Sequence, residues 1–126
     1  MNLITLPQKL SVYQVSDLHA VDLTQQPLFI GINDEEISVV SATDTVPADT
    51  IEREDGWKAF KIEGILDFSL VGILAKIATL LAEVKISIFA VSTYNTDYIL
   101  VKADDYVAAI TVLQENGYTI KQTLSD

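Results

Sequence analysis

The order of periodicities from Trp57 onward constrains this chain more than any other feature. "WKAFKI", Trp57 to Ile62, alternates as a strand does. Between Ser69 and Val84, the residues Leu74, Ile77, Leu81 and Val84 fall on one helical stripe, which Ile73 and Leu80 widen. "ISIFAVST", Ile86 to Thr93, is β-branched and aromatic with almost no polar face, the pattern of a buried central strand. "YNT" turns the chain and "DYILVK" returns it, so the pair is expected to form a hairpin. Asp104 stands where it can cap a second helix, with Val107, Ile110 and Leu113 facing inward and Gly117 closing it. "YTIKQTL" supplies a last strand. A βαββαβ order of this kind predicts a ferredoxin-like α+β fold, an antiparallel sheet with two helices on one face.

The first part of the chain reads differently. "KLSVYQV" alternates as a strand, and "PLFIGI" and "EISVVSA" form a hairpin pattern around Asn33, Asp34 and Glu35. "VPADTIEREDG" reads as a turn or short helix with a charged exit, and no convincing helix precedes residue 47. The expected division is therefore a shorter β-rich unit over residues 1–55 and the βαββαβ domain over residues 56–126.

Composition removes several function classes. Apolar residues make up 49% of the 126, so disorder is not the default. No apolar run reaches the ~18 residues of a membrane span, and "MNLITLPQKL" lacks the basic start and apolar core of a signal peptide. A cytoplasmic protein with no membrane partner is expected. There is no cysteine, hence no disulfide framework and no thiolate metal site. Eighteen acidic residues face eight basic ones, for a formal charge of −10. The single arginine, Arg53, lies between Glu52 and Glu54, which argues against a nucleic-acid partner, since phosphate contact needs clustered cations. The acidity reads first as a solubility device.

Catalytic apparatus is not visible in the sequence. His19 is the only histidine and lies in the polar stretch "SDLHAVD", which reads as a solvated loop. Without a second histidine or any cysteine, a transition-metal site would need carboxylates almost alone, so none is expected. No hydrolase elbow, dinucleotide fingerprint or phosphate-binding glycine loop occurs. "NDEEIS" has the charge of a calcium loop without its ligand spacing, and reads as a solvated hairpin tip. The expectation is a protein that is not an enzyme and needs no cofactor.

One stretch stays unexplained by structure alone. "GILDFSLVGIL", Gly64 to Leu74, puts Gly72 in what the stripe marks as the first helical turn, where glycine costs roughly 1 kcal/mol. Ser69 is the expected N-cap, and Asp67 could cap or bind. The bare backbone at Gly72 either admits a ligand to the first-turn amides or lets the helix pack tightly on the sheet. A second place is the hairpin, where Asp97 could hold an amino or guanidinium group between Thr93 and Tyr94, or simply start a strand. Its strand start is expected at the other end of the sheet from the Gly72 loop, unless the hairpin curls or another unit supplies it.

The run from Phe60 to Tyr118 resembles an ACT domain, and more narrowly the small bacterial tandem-ACT proteins related to the CASTOR-type arginine sensors. The resemblance rests on "EG-LDFSL-GIL", "ISIFA-ST" and "TDY-LVK"; "LSVYQVS", "EISVV" and "GW" resemble that group's short N-terminal ACT-like unit. It implies two side-by-side ACT units that sense a small molecule, in most members a free amino acid, where the first strand–helix loop of one unit meets another. By resemblance that loop maps to Leu66, Asp67, Phe68, Ser69, Leu70, Val71, Gly72 and Ile73, and the hairpin contacts to Thr93, Tyr94 and Asp97. Many amino-acid-binding members carry an Asp three residues before the loop glycine. Here that position is Ser69, so the identity of the amino acid is not carried over. The resemblance also implies a homodimer and a regulated protein on a separate chain. A dimerisation or protein-interaction module without a ligand is the alternative.

Overall fold

The strand–helix–strand–strand–helix–strand order from Trp57 onward is the order found in a computed structural model, which describes residues 1–64 and 72–122. Five strands come first: β1 (Asn2–Thr5), β2 (Leu10–Val15), β3 (Leu28–Ile32), β4 (Ile37–Ala42) and β5 (Glu52–Ile62). Then follow α1 (Ile73–Glu83), β6 (Ile88–Ser92), β7 (Asp97–Lys102), α2 (Tyr106–Glu115) and β8 (Thr119–Gln122). Two compact units result. One joins Met1–Pro7 to Lys58–Asp126, and the other is Gln8–Trp57.

The first of these is the α+β, ferredoxin-like unit. Its strands run in the order β8, β1, β5, β7, β6. A four-stranded sheet of this type would set the last strand beside the first; here β1 lies between them. It is antiparallel to β5, with Leu3 opposite Ile62, and parallel to β8, with Leu3 opposite Ile120. The first seven residues thus belong with the later unit, whereas the sequence division had grouped residues 1–55 together. The cause is Leu3, which is fully buried in the core that Phe60, Ile62, Ile77, Leu81, Ile99 and Leu113 build. Burying a side chain of this size contributes about 1.5–3 kcal/mol. Glu63 fastens the inserted strand, accepting from Asn2 Nδ2 at 2.8 Å and from Lys121 Nζ at 3.3 Å. These two donors, Asn2 foremost, hold the Glu63 carboxyl below the usual carboxylate range.

Both helices bury a narrower stripe than the periodicity suggested. In α1, Ile77 and Leu81 are buried while Ile73, Leu74 and Leu80 pack partly against the core. Val84 is exposed, because α1 ends at Glu83 and Val84 has left helical geometry at φ −103° and ψ 16°. In α2, Ala109 and Leu113 point inward and Val107 is 75% exposed. A 3₁₀ turn over Ala103–Asp105 delays the helix, so Asp105 rather than Asp104 precedes it, and the buried face rotates accordingly. β6 pairs with β7 alone among the described strands, which makes it an edge strand and not the central one expected. None of its residues is fully buried, so a continuous apolar run does not by itself tell a central strand from a partly open edge strand.

The second unit, Gln8–Trp57, is all β in the order β3, β4, β2, β5. The hairpin of β3 and β4 forms as expected, with Ile32 opposite Ile37. The charged run that read as a turn is instead strand, Tyr13 facing Arg53 and Gln14 facing Glu52. Solvent on the outer face tolerates its charges. The register slips between Leu10–Trp57 and Val12–Glu54, and Gly56 takes the extra residue at φ 85°, a bulge that an L side chain would resist. One apolar cluster joins Tyr13, Val15, Val21 and Val39, and Leu10, Val40 and Trp57 are buried as well. Hydroxyls supplement it. Tyr13 Oη and Ser41 Oγ are 2.8 Å apart and buried, and Ser11 donates to Asp55 at 2.6 Å.

Candidate functional site

Gly72 is outside the helix. Its φ of 80° and ψ of 1° are left-handed, so α1 can start only at Ile73, with Gly72 as its N-cap. The interior-helix penalty therefore does not arise, and any residue with a Cβ would be strained there by ~1–2 kcal/mol. The expected cap was Ser69. It lies outside the described residues, as do Leu66, Asp67, Phe68, Leu70 and Val71.

The start of α1 is electrostatically open. Among the described residues no side chain caps it and no acidic residue stands in its first turn, and its first internal bond is Lys76 N–H to the Gly72 carbonyl at 2.9 Å. The amides ahead of that bond carry the positive end of the helix dipole. A Cβ built on Gly72 would meet no atom of a described residue within 4 Å, so tight packing against the described sheet is not what the glycine serves.

A cleft of about 290 Å³ adjoins this open end. Gly72, Ile73 and Lys76 line it from α1; Asn116, Gly117 and Tyr118 line it from the turn between α2 and β8, and Met1 completes it. Gly117 sits at φ 92° and ends α2, its N–H and that of Tyr118 returning to the carbonyls of Gln114 and Leu113. Of the residues singled out in the sequence, Gly72 and Ile73 line this cleft, and Lys76 and the α2–β8 turn were not among them. A βαββαβ path brings the start of the first helix and the end of the second to the same end of the sheet, and that topology was the available signal.

The hairpin residues do not line this cleft. Asp97 accepts from Ser92 Oγ across the β6–β7 pair. Thr93 closes the turn, its N–H and Oγ1 both donating to the Thr96 carbonyl, at 2.8 and 3.1 Å. Tyr94 is 79% exposed at the tip. Yet the hairpin does lie at the end of the sheet where β5 stops, contrary to the expectation of opposite ends. Thr96 Oγ1 donates to the Ile62 carbonyl at 2.8 Å, which sets the start of β7 beside the end of β5. β7 runs back along β5, so no curl and no other unit is required for that proximity.

His19 pairs with Asp17 on the surface of the all-β unit. Hydrogen bonding and charge from Asp17 raise the His19 pKa above 6.5 and lower that of Asp17. Nothing else reactive joins them. Among the described residues no group of three His, Asp or Glu is placed to hold a metal ion, and no helix is long and apolar enough to cross a membrane.

The ACT domain model matches residues 52–115, just over half of the 126. The chain belongs to the ACT domain family. ACT domains are regulatory modules that bind small molecules, amino-acid effectors among them, commonly dimerise, and are themselves non-catalytic. Among solved structures, a protein of Agobacterium tumefaciens is 25% identical with a TM-score of 0.82, over 98% of this chain and 94% of that one. A Vibrio cholerae protein of unknown function, described as a possible transport protein, is 19% identical with a TM-score of 0.71, over 90% and 88%. The regulatory subunit of aspartate kinase from Thermus thermophilus, in a ligand-free form, shares the fold at 10% identity and a TM-score of 0.63, over 90% and 95%. No curated protein sequence matches the chain.

Proposed function

We propose that this ACT protein is a non-enzymatic cytoplasmic sensor whose effector is a free amino acid. The effector docks at the loop entering α1, where one ACT unit meets another in a homodimer, and the regulated protein is a separate chain. Residues 8–57 act as the shorter ACT-like unit. The site comprises Gly72 and Ile73, the residues Leu66 to Val71 before them, and Thr93, Tyr94 and Asp97 of the hairpin.

The observation that carries this reading is the start of α1, which no described side chain caps and where a Cβ on Gly72 would meet no described atom. First-turn amides of this kind receive a carboxylate. The likeness to the CASTOR-type group supports an amino acid as the effector class, and Asp97, at the end of the sheet where β5 stops, supports a contact to its ammonium or to a cationic side chain. Isothermal titration of the whole chain against the twenty amino acids tests it. Heat of binding for at least one, lost in Gly72→Glu, is the expected result. Twenty flat titrations would leave an ACT dimerisation module without an effector.

A further inference from the structure

We infer that the all-β unit carries a docking groove for another protein. An apolar strip at one end of its sheet seats an apolar side chain of that partner, and the acidic β3–β4 tip beside the strip receives the lysines or arginines that flank it. The inference uses Gln8–Trp57 alone and none of the residues assigned to the effector, so it is independent of that reading.

The strip follows from the strand register. Ile32 on β3 is opposite Ile37 on β4, and Ile37 is opposite Val15 on β2. Residues directly opposite in antiparallel strands share a face. Ile51 reaches the same end of the sheet from the lead-in to β5, its N–H donating to the Gln14 carbonyl at 2.8 Å. Val15, Ile37 and Ile51 line a cleft of about 260 Å³. Val15 is buried in the unit's apolar cluster and Ile37 packs partly against it, whereas Ile32 and Ile51 are 64% and 62% exposed. A lone surface isoleucine is ordinary, but two on one apolar strip that continues into the core make a patch.

The other wall of the cleft is the hairpin tip, Asn33 to Glu36. Asn33 Oδ1 accepts from the N–H groups of Glu35 and Glu36 at 2.8 and 3.0 Å, and the Asn33 N–H donates to the Glu36 carbonyl at 3.1 Å. Gln14 Nε2 holds the Glu36 carboxylate at 3.1 Å. The tip is thus ordered before a partner arrives, which lowers the entropy lost on docking. Among the described residues no cation pairs with Asp34, Glu35 or Glu36, and no Lys or Arg lines the cleft. The charge of the whole chain gathers in this unit. Gln8–Trp57 has ten acidic residues against two basic ones, a formal −8, while the remainder has eight against six, a formal −2. Charge that served solubility alone would gain nothing from this concentration.

Charge also selects the occupant. Nucleic acid and anionic lipid are repelled, and like charge opposes the same face of a second copy. No group of three described carboxylates is placed to hold a metal ion. The volume, about 260 Å³, falls below the roughly 300 Å³ at which small-molecule pockets begin and suits one or two protein side chains. What fits is a segment of a different protein, apolar at its centre and basic on both sides.

The test uses a short peptide with one leucine between two pairs of lysines, and its counterpart with serine in place of the leucine. Each is titrated into the isotope-labelled full chain at about 50 mM salt, where screening is modest, and followed by amide NMR shifts. The leucine peptide should shift the amides of Val15, Glu36, Ile37 and Ile51 and bind roughly fivefold more tightly than the serine peptide. Glu35→Lys should weaken it roughly tenfold, and Glu83→Lys, the same charge change at an exposed position of the ferredoxin-like unit, by less than about twofold. Ile51→Ser should erase the advantage of leucine over serine without moving the melting temperature, because Ile51 is largely exposed. Equal effects of the two charge reversals, equal affinity of the two peptides, or no shift at those amides would each overturn the groove. Self-association of the parent chain that Ile51→Ser abolishes, read by light scattering, would give the groove to a second copy and overturn the assignment of its partner.

Discussion

The two units of this chain solve the same problem, holding a small sheet together, with different materials. The ferredoxin-like unit lays two helices on its strands and buries Phe60, Ile62, Ile77, Leu81 and Leu113 in one apolar core. The Gln8–Trp57 unit has no α-helix; beside an apolar cluster of Tyr13, Val15, Val21 and Val39 it sets buried hydroxyls, Tyr13 to Ser41 and Ser11 to Asp55 and Thr43. Apolar burial is additive and forgiving of direction, whereas a buried hydroxyl is stabilising only while its partner is in place. The helices have a second consequence. They bring the start of α1 and the end of α2 to one place, so the unit that carries helices is also the one with the cleft beside Gly72.

The largest effect should come from the apolar core. Leu81→Ala is expected to cost about 3 kcal/mol, read as a lower urea midpoint, because it leaves a cavity among residues that cannot collapse freely. A loss below about 1 kcal/mol would mean that the helices contribute far less than their burial implies. Next comes the hydroxyl pair. Ser41→Ala leaves the Tyr13 phenol buried beside an apolar group and should cost about 2 kcal/mol, while Ser41→Ala combined with Tyr13→Phe should recover part of that loss. Equal stabilities for the single and double variants would break the contrast between the units.

Smaller still is the backbone term at the cleft. Gly72→Ala should destabilise by about 1 kcal/mol through its left-handed φ alone, since the added methyl meets no atom. A neutral result by thermal denaturation would show that the helix can begin without that conformation. The smallest effect concerns His19. Its pKa, followed by proton NMR, should lie above 6.5 and return toward that value in Asp17→Asn, whose partner carboxylate supplies the shift. The sign follows from linkage. With the folded pKa raised, the pair's contribution from His19 is complete below the unfolded value near 6.5 and fades as pH rises through the folded one. A titration indistinguishable from a free histidine would remove the pair from the all-β unit's inventory.

Much of the fold was legible because its signals are long. The stripe of α1 and the strands "DYILVK" and "EISVVSA" span enough residues for their periods to be counted. β1 was missed because "NLIT" is four residues, too short for an alternation to stand out. The charged half of β5 was misread because Glu52, Arg53 and Glu54 carry turn-like composition, and only the pairing with β2 makes them strand. At the site, Gly72 was conspicuous by its residue type, but its place before the helix depended on the sign of φ, which no composition reveals. Lys76 and Tyr118 are forty-odd positions apart and gave no local signal; the sheet's topology alone makes them neighbours.

The insertion of β1 between β5 and β8 has a consequence for how the protein is born. During synthesis, residues 2–5 emerge well before both of their partners, of which the second, residues 119–122, lies more than a hundred positions later in the chain. The larger sheet therefore cannot close until residue 122 has emerged, whereas Gln8–Trp57 has all its strands in hand by residue 57. Pairings that span the length of a chain form late and slowly. A nascent chain arrested near residue 110 should carry a folded all-β unit and an open seam along β1.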